Sequence, residues 1–128
     1  MSDTPAEKPL LWVASSKRDL MAMPEDVIDD FGYGLDQAQN GKFPDIGKVL
    51  HGFGGRSVVE LVRDDRGGTF RAVYTVRFPE MVAVLHCFQK KSKSGIETPK
   101  QDVELIHSRL KLAEEMYKEW KNKGGKNG

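Results

Sequence analysis

Arg71 and Arg77 stand six residues apart in "TFRAVYTVRF", and Lys90, Lys91 and Lys93 close the later segment "MVAVLHCFQKKSK". Side chains alternate along an extended chain, so Thr69, Arg71, Val73, Thr75 and Arg77 are predicted to share one face. Phe70, Ala72, Tyr74, Val76 and Phe78 take the other, which reads as core. Neighbouring strands bring Arg63 and Lys90 beside Arg71 if their register permits. Guanidinium and ammonium groups gathered on a sheet grip phosphates and stabilise the extra negative charge of a pentavalent phosphorane. Metal-free RNA cleavage requires this, with a 2′-hydroxyl attacking the adjacent phosphate while the protein supplies a base, an acid and positive charge. The plain alternative is an exposed sheet face carrying long, soluble side chains.

At period two, His86 shares a face with Phe88 and Lys90, where an imidazole could act as general acid or base near neutrality. A buried strand histidine is the competing reading. His51, His86 and His107 are scattered without metal-ligand spacing, so neither metal nor other cofactor is expected. Gly52-Phe53-Gly54-Gly55 lacks the lysine-serine ending of a phosphate loop and reads as a connection. Cys87, the single cysteine, reads as a small strand side chain and excludes an internal disulfide.

The elements that must position these groups follow from local signals. "LLWVA" at 10–14 is a short strand, and Ser16 with Asp19 has the spacing of a capping box. Helical spacing then runs from Leu20 to Ala38, divided at Pro24 into two pieces and stopped by Asn40-Gly41. Residues 42–57 have no steady period and are expected to form a surface loop. "SVVELVRD", "TFRAVYTVRF" and "MVAVLHCFQK" form an antiparallel meander through "DDRGG" and Pro79-Glu80. From Thr98-Pro99 onward, Val103, Ile106, Leu110, Ala113, Tyr117 and Trp120 mark an amphipathic helix. The expected fold class is α+β: a small antiparallel or mixed sheet of about four strands, carrying two N-terminal helices and one C-terminal helix. Residues 10–120 are expected to form one domain, with 1–9 and 121–128 disordered.

The chain has 128 residues and a formal net charge of +1. That charge is segregated: residues 1–40 hold 3 Lys/Arg against 8 Asp/Glu, whereas residues 41–100 hold 11 against 6. Positive charge concentrated mid-chain points to an anionic partner. No apolar run reaches the roughly 18 residues of a membrane span. The N-terminus lacks the pattern of a signal peptide, so a cytoplasmic protein without membrane contact is expected.

The succession "LLWVASSKRDLMAMPEDV", "VVELVRDDRGGTFRAVY" and "VLHCFQKKSKSGIETP" resembles the phage-derived, HigB-like branch of the RelE/ParE toxin superfamily. The resemblance spans most of residues 10–120. It implies a toxin of a type II toxin–antitoxin module that cleaves messenger RNA on the ribosome. The implied partners are mRNA, the ribosome and a helix-turn-helix antitoxin, the last in a hetero-oligomer. It further implies Arg71 on the scissile phosphate, Lys90 and His86 in catalysis, and Arg63, Lys91, Lys93 and Arg77 on the substrate. Two departures stand out. Glu60 occupies a stretch that is often basic in RelE-type enzymes, and no tyrosine near Lys90 offers to stack on a base, leaving Phe88 or Phe53. The same superfamily includes ParE-like inhibitors of DNA gyrase, and a non-catalytic binding protein is a third reading.

Overall fold

Pro24 divides the first helical stretch as its missing N–H requires. Its own carbonyl accepts from Val27 and Ile28 (both 3.0 Å), so it caps the second piece rather than interrupting one long helix. The computed structural model describes residues 7–66, 68–90 and 97–124. In chain order the elements are β1 (Leu10–Trp12), α1 (Ser16–Met21), α2 (Glu25–Gln39), β2 (Gly47–Val49), β3 (Val58–Asp65), β4 (Gly68–Thr75), β5 (Val82–Lys90) and α3 (Lys100–Asn122). Asn40 ends α2, and Gly41 at φ 78° takes the left-handed conformation that lets the chain turn away.

The sheet has five strands in the order β1-β5-β4-β3-β2, with β1 parallel to β5 and every other pair antiparallel. The α+β class and the meander agree with the sequence; the expected strand number was one short. The addition is β2, three residues at the sheet edge within the stretch read as loop. A strand paired on one side over three residues imposes no period long enough to read.

α1 and α2 cover one face, where Leu20, Val27, Phe31, Leu35 and Ala38 pack against alternate residues of β3, β4 and β5, including Leu61, Ala72 and Tyr74. α3 covers the other, burying Ile106, Leu110 and Ala113 against Val58, Val73 and Leu85. The sheet therefore separates two cores, and the face expected to be polar is apolar over much of its area. Alternation also stops at Thr75: Val76 is exposed, and Phe78 joins the α3 core rather than the side of Tyr74.

One further local expectation shifts. The residue before α1 is Ser15, whose hydroxyl donates to Asp19 Oδ2 (2.7 Å), while Ser16 is buried and donates to the Val84 carbonyl (3.1 Å). At the ends, Val82 N donates to the Pro9 carbonyl and α3 runs to Asn122.

Candidate functional site

Register decides which basic residues meet. In β3–β4 pairing Val62 lies opposite Arg71 and Arg63 opposite Phe70, so adjacent residues of β3 send their side chains to opposite faces. Arg63 thus stands on the α2 face, bound to Asp26 (2.8 Å) and Asp30 (3.0 Å). The Arg63 guanidinium hydrogen bond holds the Asp26 carboxyl below its ordinary value. The expected convergence of Arg63 on Arg71 does not occur, because one residue of strand parity separates them by the thickness of the sheet.

Arg71 faces α3 and is 2% exposed. Its Nη1 donates to Glu60 Oε1 (3.2 Å) and to Thr98 Oγ1 (3.4 Å), and its Nε donates to Thr69 Oγ1 (3.2 Å). Thr98 in turn donates to Glu60 Oε2 (3.0 Å), and Lys48 of β2 approaches Glu60 at 3.6 Å. Glu60 itself is fully buried, so it faces neither solvent nor an open groove. The sheet position expected to be exposed is therefore a buried ion pair, tied to the start of α3 by one threonine. A buried charge persists only when paired and hydrogen-bonded, and both conditions are met here.

On β5, Phe88 pairs with Arg71 and Lys90 with Thr69, which puts both on the Arg71 side of the sheet. Lys90 Nζ donates to the Glu97 carbonyl (2.8 Å). Beside it an open depression of about 680 Å3 is lined by Lys90, Gln89 and the first turn of α3. Lys91 and Lys93 lie outside the described residues.

His86 shares this face by regular alternation with Phe88 and Lys90, and a register slip follows it. Val73 pairs with His86 but Tyr74 pairs with Val84, leaving Leu85 as the extra residue of a bulge, so Leu85 and His86 both turn toward α3. The imidazole is 7% exposed and stacks on Phe88, with ring centres 4.5 Å apart. Nε2 lies 2.8 Å from Asp102 Oδ1, and Arg109 Nη1 lies 3.3 Å from Nδ1. Arginine can only donate, so Nδ1 accepts and the proton sits on Nε2, directed at Asp102. Burial pushes the imidazole below the ordinary histidine value, against the opposing pull of Asp102. Arg109 also donates to the Leu85 carbonyl (3.0 Å) and to Ser15 Oγ (3.1 Å), joining α3, β5 and the start of α1.

Arg77 lies past the far end of β4 from Thr69. It ties Glu114 (2.9 Å), the Phe53 carbonyl (2.7 Å) and Ser57 (3.3 Å) together, securing the glycine-rich connection to α3. Phe53 is buried and stacks on His107 at 4.1 Å, which removes it as a base-stacking surface. Cys87 is buried, and burial pushes its thiol up to about 12, far from a reactive thiolate.

The structure thus gathers Arg71, Lys90, His86 and Phe88 on one sheet face and leaves Arg63 and Arg77 elsewhere. It adds Lys48, Asp102 and Arg109, which sequence reasoning passed over, and ties in Thr69 and Thr98, to which that reasoning gave no role at the site. Asp102 and Arg109 are seven residues apart, two helical turns, and that spacing was the available signal for a shared face. Among the described residues no group of three or more His, Cys, Asp or Glu side chains could hold a metal ion, and no helix is long and apolar enough to cross a membrane.

With this geometry in view, the relationship to known proteins is specific at the family level. The family described as "Phage derived protein Gp49-like (DUF891)" matches residues 18–111, most of the chain. The chain belongs to this phage-derived Gp49-like family, a RelE-type toxin family, in agreement with the resemblance read from its sequence. Among solved structures, a chain of the toxin–antitoxin complex RelBE2 from Mycobacterium tuberculosis is similar over 71% of this chain and 100% of its own length. The identity is 15% and the TM-score 0.46, too distant a likeness to carry an argument. No curated protein matches the chain.

Proposed function

We propose that the protein is the toxin of a toxin–antitoxin pair and acts as a metal-free endoribonuclease on translated messenger RNA. The observation that carries this reading is the β4–β5 register, which sets Arg71, Phe88 and Lys90 together beside the start of α3. Family membership favours the toxin half of the reading.

In this reading the RNA backbone crosses the end of the sheet between Lys90 and Thr98. The 2′-hydroxyl gives its proton to water as it attacks phosphorus, the bond to the 5′-oxygen breaks as that oxygen takes a proton from water, and a 2′,3′-cyclic phosphate and a 5′-hydroxyl result. Arg71 and Lys90 meet the charge that builds on the phosphoryl oxygens. Glu60 orients the Arg71 guanidinium, and the substrate phosphate displaces Thr98 from it. Phe88 offers a ring edge to a base. His86, with both ring nitrogens engaged and the proton on Nε2, positions α3 rather than exchanging protons with substrate.

A second reading, a binding protein without hydrolysis, is favoured by the burial of Arg71 behind Glu60 and Thr98. Primer extension on a reporter message in a bacterial translation extract separates the two. The intact protein should cut translated message and leave ribosome-free RNA whole. Lys90→Ala should lower cleavage without changing the circular-dichroism melting curve; Arg71→Ala, checked for folding in the same way, should abolish it. Uncut message with a folded protein overturns the nuclease reading. A gyrase supercoiling assay would then test the ParE-like alternative.

A further inference from the structure

On the α2 face, at the other end of β4 from Thr69, lies a groove of about 310 Å3. Ala38, Val59 and the buried ring of Tyr74 form its apolar floor. Phe43 and Val76 line it while remaining 54% and 40% exposed. Large apolar side chains left exposed around one concavity, rather than scattered singly, mark an interaction surface. Lys8, Lys42 and Arg56 line the same groove, with no carboxylate among its lining residues. Among the described residues none of these three side chains is held in an ion pair. The neighbouring acid in the chain, Glu7, accepts a hydrogen bond from Asn40 Nδ2 (3.2 Å). The depression beside Lys90 differs, because Lys90 and Lys100 share it with Asp102 and Glu104. Of these two depressions, only the apolar groove on the opposite face is lined by cations without a carboxylate.

We infer that this groove docks a protein partner through an acidic segment that carries a large apolar anchor. The anchor fills the space between Phe43, Tyr74 and Val76, and flanking carboxylates meet Lys8, Lys42 and Arg56. An apolar centre ringed by charges of one sign selects a partner of complementary pattern and raises its rate of encounter. RNA is the weaker fit. The floor is mostly aliphatic, and a strand bound at Arg71 lies on the other side of the sheet. The inference shares with the proposed function only the existence of a protein partner and is independent of RNA cleavage.

The test is fluorescence anisotropy of a labelled acidic peptide, Glu-Asp-Leu-Glu-Asp-Phe-Glu-Asp, titrated with the full-length chain. Two control probes are the same peptide with serine for leucine and phenylalanine, and an oligouridylate of equal charge. The acidic apolar peptide should bind saturably. The double variant Lys42→Glu/Arg56→Glu, and separately Phe43→Ser, should each weaken binding about tenfold, and both control probes should bind less tightly. Equal affinity for the wild-type chain and both variants, absence of saturable binding, or tighter binding of the oligouridylate would each overturn the inference. Lys90→Ala separates the two proposals, since it should lower message cleavage and leave peptide affinity unchanged.

Discussion

Arg63 and Arg71 sit on adjacent strands, both paired with carboxylates, yet they belong to different environments. Arg63 is 27% exposed at its side chain and meets two aspartates that are themselves open to solvent. The Arg71 side chain is 3% exposed and meets a glutamate side chain with no exposure at all. Water screens the first pair, whereas the second must be satisfied from within the protein. The lesson is that the two faces of the sheet are built on different terms. The α2 face is closed by apolar packing with charges at its rim, and the α3 face carries a polar cluster inside its boundary.

The sharpest way to break this contrast is to remove one partner of the buried pair. Glu60→Ala should destabilise the fold by about 3–5 kcal/mol in urea denaturation, because it strands the Arg71 charge in the interior. The double variant Glu60→Ala/Arg71→Ala should cost less than the sum of the two single changes. Additive costs would mean that the pair is not coupled.

Packing on the α2 face can be tested with two glycines of one helix. A methyl group at Gly34 would meet Leu61 at 3.0 Å, whereas one at Gly32 meets nothing within 4 Å. Leu61 is fully buried and has little room to yield. Gly34→Ala should therefore cost about 1–3 kcal/mol through overpacking. Gly32→Ala should stabilise by roughly 0.5–1 kcal/mol, because alanine suits a helix interior better. Equal effects in thermal denaturation would refute the close approach of α2 to β3.

The third probe is pH. The folded His86 pKa lies below its ordinary value of 6.5, with burial as the main cause. The unfolded chain consequently takes up this proton first as pH falls. The stability associated with neutral His86 is complete above about 6.5 and is lost as pH falls through the lower folded value. The urea midpoint should drop between about pH 7.5 and pH 5.5, and His86→Gln should flatten that slope. An unchanged slope would remove His86 from the contacts that fix α3. The smallest effect belongs to Arg63→Ala, which should leave the midpoint within experimental scatter; a loss comparable to that of Glu60→Ala would erase the distinction between the faces.

The legible parts of the fold were those written in adjacent residues. Pro24 and Pro99 place helix starts, Asn40-Gly41 places a stop, and "DDRGG" places a hairpin, each through local backbone chemistry. The candidate site was legible only in part, because it depends on parity and register. Arg71, Phe88 and Lys90 share one face through cross-strand pairing, whereas Arg63 is one residue out of phase. The slip at Leu85 adds a further change of phase that no residue type announces. Glu60 reads in the sequence as a base or a solvent-facing carboxylate, and its burial is not signalled by its apolar neighbours.

The edge pairing of β1 has a consequence for how the chain acquires its shape. Leu10 pairs with Val82 and Trp12 with Val84, whereas the β3–β4 hairpin closes between Asp65 and Gly68. Long closures cost more chain entropy than short ones, so the hairpin can form early and β1 must wait. On a ribosome, β1 is made well before its β5 partner has been synthesised. The strand translated first is thus among the last to find its neighbour, and α1 and α2 exist before the strands they cover.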